Sequence, residues 1–253
     1  MNFFFGINSL DFKSELQIPI FQNNGKKNTE IELFQAEIEN NSWKIEKVNE
    51  IKNDKFFFKI NSNITDSHKI FFLANDDDFK LFDKKKLINF NNYTDTIPAF
   101  RANLKLIIKN GGFSSYQSEY PFSMVNKKGS ILTQVNTLAN IDAEKNFIFL
   151  KNIYEFPINK TFYAYFVNIK NKSIEEKVEL KTNYTNLIEL KNSLIRPEIF
   201  FYTDHYLGIP MFVSVKNKHI SFEHTHPPHS YFLSDNKFKK VTELKKEINE
   251  IVN

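Results

Sequence analysis

The chain reads as a succession of short strands. Residues 30–38 alternate apolar and polar positions through Ile31 and Leu33. Residues 55–60 and 69–73 are aromatic and β-branched runs, and the same texture returns at 146–150, 161–168, 176–180, 186–190, 199–203, 209–215 and 219–223. Such runs, separated by Asn, Lys, Asp or Gly, mark strands joined by turns. The expected fold class is mainly β, an antiparallel β-sandwich-like architecture with a C-terminal α-helix. That helix is expected over about 240–252, where Val241, Leu244, Ile248 and Ile251 form one apolar stripe at helical spacing. The stripe spans too few heptads for a coiled coil, so it is expected to pack on the sheet.

The clearest local pattern runs from Thr161 to Leu190. Phe162, Ala164 and Phe166 alternate with Tyr163, Tyr165 and Val167, and a polar turn follows. Val178 and Leu180, then Leu187, Ile188 and Leu190, complete two more strands. Three consecutive antiparallel strands of this kind are expected to share one sheet. Asn110-Gly111-Gly112 predicts a bend or hairpin. Trp43, the sole tryptophan, lies in a strand-like run and is expected in the core.

Composition changes how single residues are weighed. Among 253 residues there are 32 Lys, 32 Asn and 28 Phe, against 6 Gly and 2 Arg. An AT-rich coding sequence supplies Lys, Asn, Phe and Ile by default, so each one alone says little. The net charge of +4 is not a nucleic-acid-grade excess over this length, and Lys alternates with Asp and Glu, so no nucleic-acid partner is expected. The acidic run Asp76 to Asp78 and the basic run Lys84 to Lys86 read as a solvated loop or edge. Cysteine is absent, which excludes disulfides and thiolate metal sites. The opening residues carry no secretory pattern and no window is long and apolar enough for a membrane span, so a soluble cytoplasmic protein is expected.

The residues this bias disfavours are the informative ones. They thicken after residue 95, with Pro98, Arg101, Gly111, Gly112, Pro121 and Gly129. This suggests a small N-terminal β unit over 1–95 and a larger β-sandwich-like domain with the C-terminal helix over 96–253. A single sandwich with a long insertion gives the same pattern.

Two segments carry candidate chemistry. In the first, Arg101, Asn103, Ser115, Tyr116, Gln117, Glu119 and Tyr120 offer aromatic faces, amides, a carboxylate and a guanidinium. That set suits a saccharide or another polar small molecule. Its structural alternative is a tyrosine-rich edge strand with Arg101 ion-paired to Glu119. The second segment gathers His205, His219, His224, His226 and His229, five of the six histidines. On a strand His224 and His226 share a face, with Cβ atoms roughly 7 Å apart, within reach of one metal. Pro227-Pro228 then bends the chain and makes His229 a candidate third ligand. Zinc or iron(II) would be the divalent metal of such a set, and Glu223 a candidate base. His205 and His219 read as ordinary histidines.

The run from His224 to Pro227 resembles part of the His-x-His-Pro motif of JAMM-type metalloproteases. Ser234 falls where that motif has its serine, but Lys237 stands at the position of the metal-ligating acid. The run also resembles the first cupin motif, whose glutamate position is taken by His229 and Ser230. Neither pattern is completed, and neither family is adopted. Gly-rich phosphate loops, nucleophile elbows, dinucleotide fingerprints and calcium loops are absent from the sequence. The sequence thus supports a soluble β protein binding a polar ligand, a saccharide being the natural class, through both segments. A His-ligated metal-dependent hydrolase or lyase and a structural or assembly module, in which an oligomer would form, are its alternatives.

Overall fold

The computed structural model of the chain describes residues 1–20, 30–49, 52–53, 56–90, 93, 102–126, 131–205, 208–224 and 235–253. The first half holds β1 (Asn2–Phe4), β2 (Phe12–Pro19), β3 (Glu32–Glu39), β4 (Ser42–Lys47), β5 (Lys52–Asn53), β6 (Phe57–Ile60), β7 (Ile70–Ala74) and the short helix α1 (Asp76–Lys80). Next come β8 (Asn103–Ile108), β9 (Phe113–Gln117), β10 (Tyr120–Pro121) and β11 (Ile131–Gln134). The second half adds β12 (Lys145–Asn152), β13 (Thr161–Asn168), β14 (Ser173–Lys181), β15 (Tyr184–Leu190), β16 (Ile199–Thr203), β17 (Ile209–Lys216), β18 (His219–His224) and α2 (Asp235–Val252).

These strands form four sheets among the described residues, and the fold is mainly antiparallel β, sandwich-like, with a C-terminal helix. Two N-terminal sheets have the orders β10-β1-β7-β3-β4 and β5-β6-β2-β8-β9. A central sheet has the order β15-β12-β17-β18, and an outer sheet the order β11-β16-β13-β14. Hydrogen-bonded partners lie on both sides of residue 95: β1 pairs with β10 and β2 with β8.

The layers follow from strand parity. Phe147, Phe149, Met211, Val213, Val215 and Phe222 face the N-terminal sheets and join their core. Phe12 on β2 meets the rings of Phe147 and Phe149 edge-on, at 5.1 and 5.6 Å between centroids. Ile148, Leu150, Ile188, Leu190 and Phe212 alternate with these and pack against Phe162, Ala164, Phe166 and Phe201 of the outer sheet. The far side of the outer sheet, at Val167 and Tyr202, is covered by Ile248 of α2. The apolar stripe of the helix therefore packs where its periodicity predicts. No helix among the described residues is long and apolar enough to cross a membrane.

Three local features differ from the sequence reading. The β14–β15 connection crosses between sheets: β14 pairs with β13 in the outer sheet, whereas β15 pairs with β12 in the central one. Asn183 turns the chain with φ 56°, and the Asn186 side chain bonds back to both the N–H and the carbonyl of Lys181. The acidic run is not a loop but the first turn of α1, where Asn75 accepts the Asp78 N–H at 2.8 Å. Carboxylates there complement the helix dipole. Strand β2 was hidden because its buried parity, Phe12, Ser14, Leu16 and Ile18, contains a serine. Ser14 accepts the Ile7 N–H at 2.7 Å, which makes its burial tolerable.

Asparagine does turn work that glycine usually does. The two-residue hairpin loops Asn40-Asn41 and Asn217-Lys218 have positive φ at both positions, as a type I′ turn requires. Glycine is demanded by space at the β8–β9 turn. A Cβ on Gly111 would lie 2.3 Å from Ile108 Cγ2 and 2.7 Å from the Lys218 carbonyl oxygen, whereas one on Gly112 would lie 3.4 Å from that oxygen. Gly111→Ala should lower stability by ~1–3 kcal/mol through overpacking. Gly112→Ala should stay within ~0.5 kcal/mol of the parent. Urea midpoints of the two variants check the contrast.

Candidate functional site

The two polar segments come together along one edge. Gly112 N–H donates to the Lys218 carbonyl at 2.9 Å, and the Tyr116 ring meets Phe222 edge-on at 6.0 Å. Both contacts have the same sequence offset, so β9 and β18 run side by side in one direction. Each is the edge strand of its own sheet.

The first segment divides at this edge. Tyr116 is half-buried and sits opposite Leu104 on the core side of β9. Ser115 and Gln117 have the other parity, with Ser115 opposite Lys105 on the outer side. Asn103 opens β8, between Gln17 and Gln117. Glu119 accepts the Ala102 N–H at 2.9 Å, so its carboxylate serves the backbone at the start of β8. Tyr120 is 0 % exposed within the core, and its hydroxyl donates to the Met124 carbonyl at 3.3 Å. Burial pushes its phenol up from the ordinary value. Arg101 lies outside the described residues.

In the second segment, β18 pairs with β17 in the register Met211–His224, Phe212–Glu223 and Ser214–Ser221. Glu223 and His219 are exposed. His205 Nδ1 lies 2.9 Å from the Asp204 carboxylate, a partner that orients the ring. His226 and His229 lie outside the described residues. Among the described residues no group of three His, Asp or Glu side chains is placed to hold a metal ion.

A cleft of about 580 Å³ lies on the other face of β18. Ser214 and Ser221 border it from the sheet, Asn136, Thr137 and Asn140 from the loop before β12, and Ile195 and Pro197 from the segment before β16. Its framework is fixed by Asn146, which is 1 % exposed. The Asn146 carbonyl oxygen accepts from Ser214 Oγ at 2.6 Å and from the Asn140 N–H at 2.9 Å, and its amide donates to the Asn140 carbonyl at 2.9 Å.

The sequence reading missed Lys151, which is fully buried on β12. Its Nζ donates to the Ser67 carbonyl at 3.2 Å, and the same carbonyl accepts the Thr185 N–H at 3.0 Å. The ammonium therefore ties the β6–β7 loop to the central sheet. Burial pushes its pKa down to about 7, against the opposing pull of Asp66. The sequence carries a signal for it: Lys151 has the inward parity of Phe147 and Phe149, although a single lysine stands out little among 32.

No protein-family model, curated protein or solved structure matches this chain.

The lysine has a measurable consequence. Between pH 7 and about 10.5 the unfolded chain holds the Lys151 proton while the folded chain has released it. The unfolded state binds more protons there, so stability rises with pH. Below pH 7 both states are protonated and this dependence vanishes. Tyrosines begin to titrate near pH 10, so the clean window is pH 7–10. Lys151→Met should flatten the rise across that window. It should also gain ~1–3 kcal/mol at pH 7 by removing an incompletely paired buried polar group. Denaturation midpoints of both proteins against pH check the sign and the window.

Proposed function

We propose that the protein binds a polar, hydroxyl-rich ligand of the saccharide class along strand β18. The observation that carries this reading is the character of the cleft beside Ser214 and Ser221. Asn136, Thr137, Asn140, Ser214 and Ser221 supply amides and hydroxyls, and among the described residues no charged side chain lines it. Amides and hydroxyls both donate and accept, which matches sugar hydroxyls, whereas a charged ligand would lack a counter-ion there. Its size falls within the ~300–1,000 Å³ typical of small-ligand sites.

The first polar segment adds to this reading from the opposite side of the same strand. Tyr116 braces Phe222, and Ser115 and Gln117 line the outer side of the neighbouring edge. The strand then leads toward the histidine-rich residues. Binding along β18 therefore combines both segments, with the cleft as the enclosed part.

A panel of neutral and charged mono- and oligosaccharides tests the proposal. Neutral sugars should bind, and Ser221→Leu, at an exposed strand position, should weaken them by about tenfold or more through lost hydrogen bonding and volume. Absence of binding across the panel, or binding indifferent to Ser221→Leu, would count against it.

A further inference from the structure

A second cavity lies at the opposite end of the central sheet. It encloses about 440 Å³ and is lined by His68, Asn159, Glu179, Leu180, Lys181, Tyr184, Asn186 and Leu187. Its character differs from the cleft beside β18. One wall is aromatic: the His68 and Tyr184 rings lie 4.5 Å apart between centroids. Leu187, 40 % exposed, adds aliphatic surface, and Glu179 and Lys181 contribute one charge of each sign.

Those charges are placed by strand geometry. Glu179 and Lys181 are two residues apart on β14, so they share a face at a spacing of roughly 7 Å. Both are exposed, and neither forms an ion pair with the other or with any described residue. The walls are fixed independently of any ligand. Asn186 clamps the end of β14 through the Lys181 N–H and carbonyl, at 2.8 and 2.9 Å. Ser67, next to His68, is held to β15 by the Thr185 N–H and to β12 by Lys151 Nζ. The imidazole therefore stands against Tyr184 on a tethered loop.

The geometry points to a binding site for a zwitterionic small molecule, an α-amino acid with an apolar side chain. Its carboxylate would pair with Lys181, its ammonium with Glu179, and its side chain would lie against the His68–Tyr184 rings and Leu187. In an α-amino acid the nitrogen and the carboxyl carbon are about 2.5 Å apart. With charge-assisted hydrogen bonds of ~2.8 Å on either side, that unit spans the gap between a carboxylate and an ammonium two strand positions apart. A simple anion or cation would satisfy one of the two charges and face the other as a like charge. The site is separate from the cleft beside β18 and does not depend on the saccharide reading.

Titration calorimetry on the full chain tests this with L-phenylalanine and L-leucine as probes. Phenethylamine, which lacks the carboxylate, and 3-phenylpropanoate, which lacks the amine, are the controls. At least one amino acid should saturate the protein below ~10 mM, and both controls should bind about tenfold more weakly or worse. Glu179→Gln and Lys181→Gln, both at exposed strand positions, should each weaken the amino acid by about tenfold. No saturation by either amino acid overturns the proposal. Equal binding of a control, or binding unchanged in both variants, overturns it as well.

Discussion

The structure turns on one strand that is buried on both faces. From Asn146 to Asn152 every side chain of β12 is removed from solvent. A strand in that position must satisfy two cores at once, one for each parity. Phe147 and Phe149 fill the core shared with the N-terminal sheets, and Ile148 and Leu150 fill the core shared with the outer sheet. Full burial of each such side chain contributes ~1.5–3 kcal/mol. A polar side chain buried beside them costs a comparable amount unless it finds partners inside. Strand β12 accordingly carries its buried polar residues, Asn146, Lys151 and Asn152, toward its two ends, where loops can reach them.

That constraint explains why the two cavities sit where they do. Near the start of β12, Asn146 spends its amide on the Asn140 backbone and on Ser214, which fixes the loop bordering one cleft. Near its end, Lys151 reaches the Ser67 carbonyl and so fixes the loop that carries His68 into the other. The polar groups that burial forces into bonding are the ones that organise the surface around them. Their roles differ in kind. Asn146 is neutral and its bonds hold at any ordinary pH. Lys151 is held to its carbonyl as a donor whose proton count changes near neutrality, so one end of the strand is insensitive to pH and the other is not.

Much of the architecture was legible because it rests on parity and period. The run Phe162, Ala164, Phe166 enters the core as its alternation requires, and Ile248 docks on the outer sheet as its helical spacing requires. The Asn110-Gly111-Gly112 turn joins β8 to β9. What escaped was non-local. Nothing in the residues from 173 to 190 announces that β14 and β15 belong to different sheets, because a hairpin that stays in one sheet and a connection that changes sheets share the same local alternation. The decisive contact is between Asn186 and Lys181, a polar bond within a turn rather than a hydrophobic pattern. The candidate sites were legible in part for the same reason. The placement of Tyr116 beside Phe222 depends on how two sheet edges meet, and Glu119 looks like a ligand group until the Ala102 N–H is seen to occupy it.

The compositional bias also shaped the fold in a way that single residues conceal. With 6 glycines in 253 residues, the chain meets the need for left-handed backbone largely with asparagine, at Asn40, Asn41, Asn110, Asn126, Asn183 and Asn217. Asparagine tolerates that region because its short polar side chain bonds locally. Gly111 and Gly208 stand instead where a Cβ would press on a backbone carbonyl, of Lys218 and Lys151 respectively. Asparagine at the turns and glycine at the close approaches are thus answers to different constraints, one of dihedral angle and one of space. Both close approaches occur where strands β17 and β18 meet the rest of the molecule. Gly111 lets the β8–β9 turn approach the β17–β18 hairpin, and Gly208 lets the start of β17 approach the end of β12, more closely than a side chain would allow.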